Sequence, residues 1–317
     1  MSKKGPGEPP VIYRWNRPTP TPEEIIDSYL VQLEKLDKQE LTFWGEFYDF
    51  LTGEREKLLD DILDSLQKVR QENIVLEKTS RIVIPKYGAD PLCTYGSTCK
   101  PPGGRFNFGS ISSFHQDFDC LYVANDYHTA FHEVFHYEPS ERIAPGAITP
   151  EEAGLQEVAG FNHVQCRVEL DSVIDIRSDE ALKPFCEVIS RILPSKELQD
   201  YASALGKAPL VTIQSLEFQK MSLFDPKYKQ WGTWLNQPAN SQWFGHYVRR
   251  AGIQAVIYPS CRDVEGFNVA IFPSNFQESE SRVTLLTEAK YIPESRREMN
   301  AKNCLFFQRP DSEVVHC

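Results

Sequence analysis

No apolar run in this chain approaches the length needed to cross a bilayer, and the opening residues Met1-Ser2-Lys3-Lys4-Gly5-Pro6 lack the apolar stretch of a secretory signal. The expectation is a cytoplasmic protein with no membrane partner. Eight cysteines, at 93, 99, 120, 166, 186, 261, 304 and 317, include no Cys-x-x-Cys pair. That spacing argues against a thiolate zinc site and supports no disulfide framework. Cys120, Cys166 and Cys304 lie in apolar runs, where a small buried thiol is expected. Positive charge is scarce: 34 Lys and Arg face 45 Asp and Glu, for a net charge of −11. Such a surface repels polyanions, which argues against nucleic acid and anionic lipid as partners. No internal repeat with a period of about 20–50 residues is present, so a solenoid or propeller has no support.

What is present suits one large domain, or a core with an accessory piece, in 317 residues of which 41% are hydrophobic. Residues 1–22 are polar and proline-rich and read as a flexible tail. Residues 23–76 read as a helical accessory region. Trp44, Phe47, Tyr48 and Leu51, then Leu58, Leu59, Ile62, Leu63, Leu66 and Val69, recur at helical spacing, and Gly53 is the predicted break between two helices. After Ile74 the texture turns to short strands, over residues 81–84, 119–124, 164–170, 255–258, 267–272 and 304–307. A helix is predicted over 127–137, capped by Asn125 or Asp126 and stopped near Pro139. Residues 178–250 read as mainly helical, with Trp231, Trp234 and Trp243 as packing anchors. Strands and helices mixed without regular alternation predict an α+β fold over 77–317, with a helical insertion at about 178–245.

The segment from Lys78 to Arg105 breaks the acidic trend. It holds Lys78, Arg81, Lys86, Lys100 and Arg105 against Asp90 alone, a balance suited to a small anionic ligand. At its end, Gly103-Gly104-Arg105-Phe106-Asn107-Phe108-Gly109 sets a guanidinium among glycines. The fork of an arginine matches phosphate oxygens, and glycines let backbone N–H groups approach them. Tyr122 follows on a predicted strand and Glu133 on a predicted helix. Further on, Tyr258-Pro259-Ser260-Cys261-Arg262-Asp263-Val264-Glu265-Gly266-Phe267-Asn268 places a serine at a strand end before a loop.

Arg105, Glu133 and Ser260, in this order and these contexts, resemble the arginine, glutamate and serine that name the RES domain. The resemblance runs over roughly residues 77–275, interrupted by the helical stretch. It implies an ADP-ribosyltransferase-like mixed sheet and an enzyme that takes NAD as substrate and needs no cofactor. Many members are toxins, so an inhibitory antitoxin protein and a homodimer are the implied partners. Nicotinamide departs as a neutral base, so breaking its bond to ribose requires orientation and charge stabilisation rather than a general acid. In this reading Arg105 clamps the pyrophosphate and Glu133 stabilises the cationic ribose. Ser260 bonds a phosphate or the ribose, and Tyr122 stacks on nicotinamide or donates its hydroxyl. Arg81, Gly104, Asn107 and Asn268 complete the NAD contacts. The acceptor stays open among water, phosphate and a protein or nucleotide nucleophile.

Two rival readings remain. His132-Glu133-Val134-Phe135-His136 spells H-E-x-x-H, with His132 and His136 on one helix face as in zinc peptidases. The metzincin continuation fails at Pro139 and Arg142, which leaves Glu157 as a third ligand. The other rival is a non-catalytic nucleotide-binding module whose Trp44, Phe47 and Tyr48 meet a partner.

Overall fold

Alternation along β3 organises the molecule. Every second residue from Val164 to Leu170 is buried, so the strand turns one face to a core and the other to partial cover. The computed structural model describes residues 38–98, 102–109, 116–135, 161–207, 209–229 and 237–308. In chain order the elements are α1 (Lys38–Lys57), α2 (Leu59–Gln67), β1 (Gln71–Val83), β2 (Leu121–Ala124), α3 (Tyr127–Phe135), β3 (Asn162–Asp175), α4 (Asp179–Ile189), α5 (Lys196–Ala204), α6 (Leu216–Leu223), α7 (Asn240–Arg250), β4 (Ala255–Pro259), β5 (Phe267–Ile271), β6 (Arg282–Leu285) and β7 (Glu298–Asn300).

The strands form one seven-stranded mixed sheet in the order β1-β2-β5-β4-β3-β6-β7. β1 also pairs antiparallel with β3 from Gln71–Val173 to Val83–Asn162, with a register shift between Leu76 and Thr79. That extra pairing closes β1, β2, β5, β4 and β3 into a ring, which protects its edges. β3 and β4 run parallel. β6 extends the sheet from the first half of β3. The α+β class expected from the sequence is the class found.

Two apolar cores hold the layers together. Leu121, Val123, Val164, Val168, Val269 and Ile271 belong to one cluster on the strands. Phe43 and Phe47 of α1, Ile62 and Leu66 of α2, and Phe185 of α4 share the other with Phe106, Phe244 and Phe272. Burying each such side chain contributes about 1.5–3 kcal/mol. The helices of 38–67 therefore pack into the same core as the glycine-loop phenylalanine. Trp243 belongs to this core too, edge-on to Phe108 at 5.3 Å. α3 lies apart, with Ala130 and Phe131 packed on Ile82 and Ala124.

Several boundaries differ from the sequence reading for physical reasons. Gly53 lies inside α1, and the break comes at Leu58. β1 begins at Gln71 rather than Arg81, because the backbone of Gln71–Leu76 pairs with β3, although its first eight residues are mostly exposed. The strand spans the boundary placed at 76/77, where its pairing with β3 shifts register. Residues 304–307 form no strand; Cys304–Gln308 is a 3-10 helix that buries Cys304 and Phe307, three residues apart, and exposes Leu305 and Phe306. Residues 1–22, Lys100, His136, Pro139, Arg142, Glu157, Trp231 and Trp234 lie outside the described residues. Among the described residues no helix is long and apolar enough to cross a membrane.

Candidate active site

The sheet brings two junctions side by side. β2 pairs with β5 so that Ala124 faces Asn268. Just beyond, Asn125 N–H donates to the Phe267 carbonyl and Phe267 N–H donates to Asn125 Oδ1 at 2.8 Å. Asp126 Oδ1 accepts from Thr129 N–H at 2.8 Å, the N-cap that starts α3 and turns Glu133 toward the β4–β5 loop. Thr129 Oγ1 donates to Asp263 Oδ2 at 2.8 Å and ties α3 to that loop.

The carboxylate of Glu133 is the focus of this junction. Its Oε1 accepts from Ser260 Oγ at 2.6 Å and from Asn268 Nδ2 at 2.8 Å. Oε2 has no hydrogen-bond partner among the described residues. Ser260 is itself fixed, because its Oγ accepts from the N–H groups of Arg262 and Asp263 at 3.1 Å. The result is a half-buried carboxylate with one oxygen locked and the other available. Ser260 and Asn268 thus meet Glu133. Removing the hydroxyl should loosen the carboxylate without disturbing the fold. Ser260→Ala is expected to lower turnover about ten- to a hundred-fold, with an unchanged thermal melt as the check.

The glycine loop is built from inside. Gly103 has φ +99°, a left-handed conformation that favours glycine. Asn107 is fully buried, and its Oδ1 accepts from Gly104 N–H at 3.0 Å and Tyr122 OH at 2.8 Å. Its Nδ2 donates to the carbonyls of Ser97 and Phe118. Tyr122 OH in turn accepts from Phe106 N–H at 2.9 Å. Gln242 of α7, also fully buried, reaches the carbonyls of Pro102, Gly104 and Asn107 through Nε2 at 2.8–3.0 Å. Asn107 and Tyr122 therefore organise the loop, and their polar atoms are committed to it. Tyr122→Phe would leave Asn107 Oδ1 and Phe106 N–H short of a partner. It is expected to cost about 1–3 kcal/mol in a urea unfolding experiment.

Arg105 projects from this loop. Its Nη1 donates to the carbonyls of Leu223 and Asp225, both at 3.0 Å, and its guanidinium lies 4.6 Å from the centre of the Tyr228 ring. It makes no ion pair with the described residues. Neutral carbonyls and a ring face hold the cation in place while leaving its charge uncompensated. An anionic ligand is the partner for which such a guanidinium is suited.

The charges of Arg105 and Glu133 both reach Tyr228 and Tyr258, so the two lie in one neighbourhood. Burial pushes the Tyr228 hydroxyl up to about 12, with Arg105 pulling it down and Glu133 pushing it up. Burial raises Tyr258 well above the usual phenol range, with Glu133 adding and Arg105 opposing. Burial likewise lifts Tyr122 well above its ordinary value. The three phenols thus stay protonated near neutral pH.

Arg81 stands elsewhere. Its guanidinium donates to the carbonyls of Pro91, Tyr122 and Cys93 at 2.9, 2.7 and 3.2 Å, and burial lowers its pKa. All three nitrogens stitch β1 to β2 and the 91–93 loop, a structural use of the charge. His132 lies beside Glu133 on α3, 6.0 Å from the His128 ring. Among the described residues no group of three or more His, Cys, Asp or Glu is arranged to hold a metal. Tyr228, Gln242 and the Thr129–Asp263 link escaped the sequence reading. A glutamine on the apolar face of α7 was the one available signal.

No curated protein matches this chain. Among solved structures, the crystal structure of the M. tuberculosis MbcT–MbcA toxin–antitoxin complex is similar at 14% identity, over 73% of this chain and 94% of that one, with a TM-score of 0.34. The family model for the RES domain matches residues 79–288, more than half of the chain and every residue of the cleft described above. The chain therefore belongs to the RES domain family.

Proposed function

We propose that this protein cleaves the nicotinamide–ribose bond of NAD, as a glycohydrolase, a phosphorylase or an ADP-ribosyltransferase. The observation that carries the reading is Glu133, with Oε1 locked by Ser260 and Asn268 and Oε2 without a hydrogen bond among the described residues. A fixed carboxylate is what an oxocarbenium-like ribose requires, and its preorganisation avoids a reorganisation cost during the reaction. Arg105 supplies the complementary charge for the pyrophosphate. To take it, the guanidinium exchanges its bonds to the Leu223 and Asp225 carbonyls for phosphate oxygens, which are stronger acceptors. Ser260 and Asn268 act as positioning residues, and Asn107 and Tyr122 hold the loop that aims Arg105. Gly104 keeps that loop close, since a Cβ there would overlap Tyr122 OH and Asn107 Oδ1.

The electron flow is short. The glycosidic pair leaves with nicotinamide, whose ring nitrogen loses its positive charge. The ribose cation is stabilised by Glu133 until water, phosphate or another nucleophile closes on it. Uncontrolled NAD loss harms a cell, so the reading extends to a cytoplasmic toxin of a toxin–antitoxin or defence system with an inhibitory antitoxin protein. Incubating the full chain with NAD in water, in phosphate and with cell extract, and quantifying free nicotinamide, tests the reading. Release under at least one condition is expected; none under all three would overturn it.

A further inference from the structure

Arg55, in the last turn of α1, is a buried charge that the NAD cleft does not use. It is 5% exposed. One terminal nitrogen donates to Asn240 Oδ1 at 2.6 Å, and the guanidinium lies 5.5 Å from the centre of the Trp243 ring. The other terminal nitrogen, Nη1, is buried with no hydrogen-bond partner. The ionisable groups whose fields reach Arg55 are Tyr247 and Tyr48. Burial keeps both phenols neutral, raising Tyr247 to about 12 and Tyr48 further. The Tyr247 hydroxyl is also buried without a partner. The neighbouring acid Glu56 faces Arg250 instead, at 3.7 Å. Among the described residues this guanidinium is buried with neutral groups and gives up its hydration with no opposite charge in return, a cost that a bound anion would offset.

Arg55 lines a cavity of about 780 Å³ between α1 and the helical insertion. Trp44 and Phe47 form one wall, and Ile213 and Phe218 belong to the other. Small-molecule sites are of this kind, mostly apolar with a few fixed polar groups, and hold about 300–1,000 Å³. Among the described lining residues the other cation, Lys220, already pairs with Asp179 at 2.7 Å. The one carboxylate among them, Asp225, accepts from Lys227 N–H. Of the described lining residues, Arg55 is therefore the group placed to receive an acid.

We propose that this cavity is a second ligand site, separate from the NAD cleft, for a small organic acid with an aromatic or bulky apolar body. The acidic group meets Arg55 and the body fills the space between Trp44, Phe47 and Phe218. The two sites share the 223–228 segment: Phe224, Asp225 and Tyr228 line the cavity, and the carbonyls of Leu223 and Asp225 hold Arg105. The inference stands whether or not the chain acts on NAD.

Fluorescence titration of the full chain with 1-anilinonaphthalene-8-sulfonate, and with its uncharged counterpart N-phenyl-1-naphthylamine, tests it. The sulfonate is expected to bind at one equivalent and to stay bound in excess NAD. Arg55→Met is expected to weaken the sulfonate about ten-fold or more and to change the neutral probe less than about two-fold. Should Arg55→Met not fold, Met221→Trp at the exposed rim of the cavity is the substitute, and it is expected to exclude both probes. No stoichiometric sulfonate binding, equal loss of both probes in Arg55→Met, unimpaired binding of both in Met221→Trp, or displacement of the sulfonate by NAD would each overturn the proposal.

Discussion

Glu133→Gln is expected to lower nicotinamide release from NAD about a thousand-fold, the scale on which a preorganised electrostatic group acts on a developing charge. The substitution keeps the shape. The amide oxygen can still accept from Ser260 Oγ and Asn268 Nδ2, so the junction between α3 and the β4–β5 loop stays tied. What is lost is the negative charge that the proposed mechanism sets against the ribose. Thermal melts of the two proteins are therefore expected to agree within a few degrees. A variant that retains activity within ten-fold of the parent would remove Glu133 from the chemistry. One that fails to fold would show the carboxylate to be a structural tie instead.

Gly245→Ala is expected to destabilise the protein by about 3 kcal/mol, at the upper end for overpacking a tight contact. On an exposed helix surface the same change would stabilise by about 1 kcal/mol, since alanine is the better helix former. Here α7 approaches the glycine loop so closely that a methyl at Gly245 would overlap the carbonyl of Phe106. Backbone, not a flexible side-chain end, is in the way. Relief requires α7 or the loop to move, and Gln242 one turn earlier bonds three carbonyls of that loop. The displaced loop carries Arg105, so NAD turnover should fall along with the urea midpoint. A neutral or stabilising result would mean that the helix–loop contact is soft and that Arg105 is not held by it.

The residues proposed to carry the chemistry stand out in the sequence because each is a rare type in a telling local context. Arg105 among glycines, Glu133 on a short apolar helix and Ser260 at a strand end carry their signal within a few residues. The supports were not legible, because they act across long separations. Gln242 serves a loop 135–140 residues upstream, and nothing beside it in the chain marks that use. Tyr228, which faces Arg105, lies in a polar stretch with no pattern of its own. Asn107 shows the reverse case: its position beside Arg105 suggested a ligand contact, whereas full burial makes it the hub of the loop. Arg81 is similar, since charge alone cannot distinguish an anion site from a clamp on three carbonyls. For the fold, the start of β1 was hidden because its first half is polar and exposed and is held by backbone pairing with β3. The turn at Cys304 was hidden because residue type alone does not separate strand from 3-10 helix in a short apolar run.

Proton NMR of NAD incubated with the full chain tests the central claim most directly, because it identifies the bond that breaks. The expected result is the growth of free nicotinamide resonances matched by loss of NAD, with ADP-ribose or a 1-substituted ADP-ribose as the second product. Appearance of nicotinamide mononucleotide with AMP would contradict the claim, since it would put the cut at the pyrophosphate that Arg105 is assigned to hold. Unchanged NAD in the presence of water, phosphate and cell extract would contradict it as well.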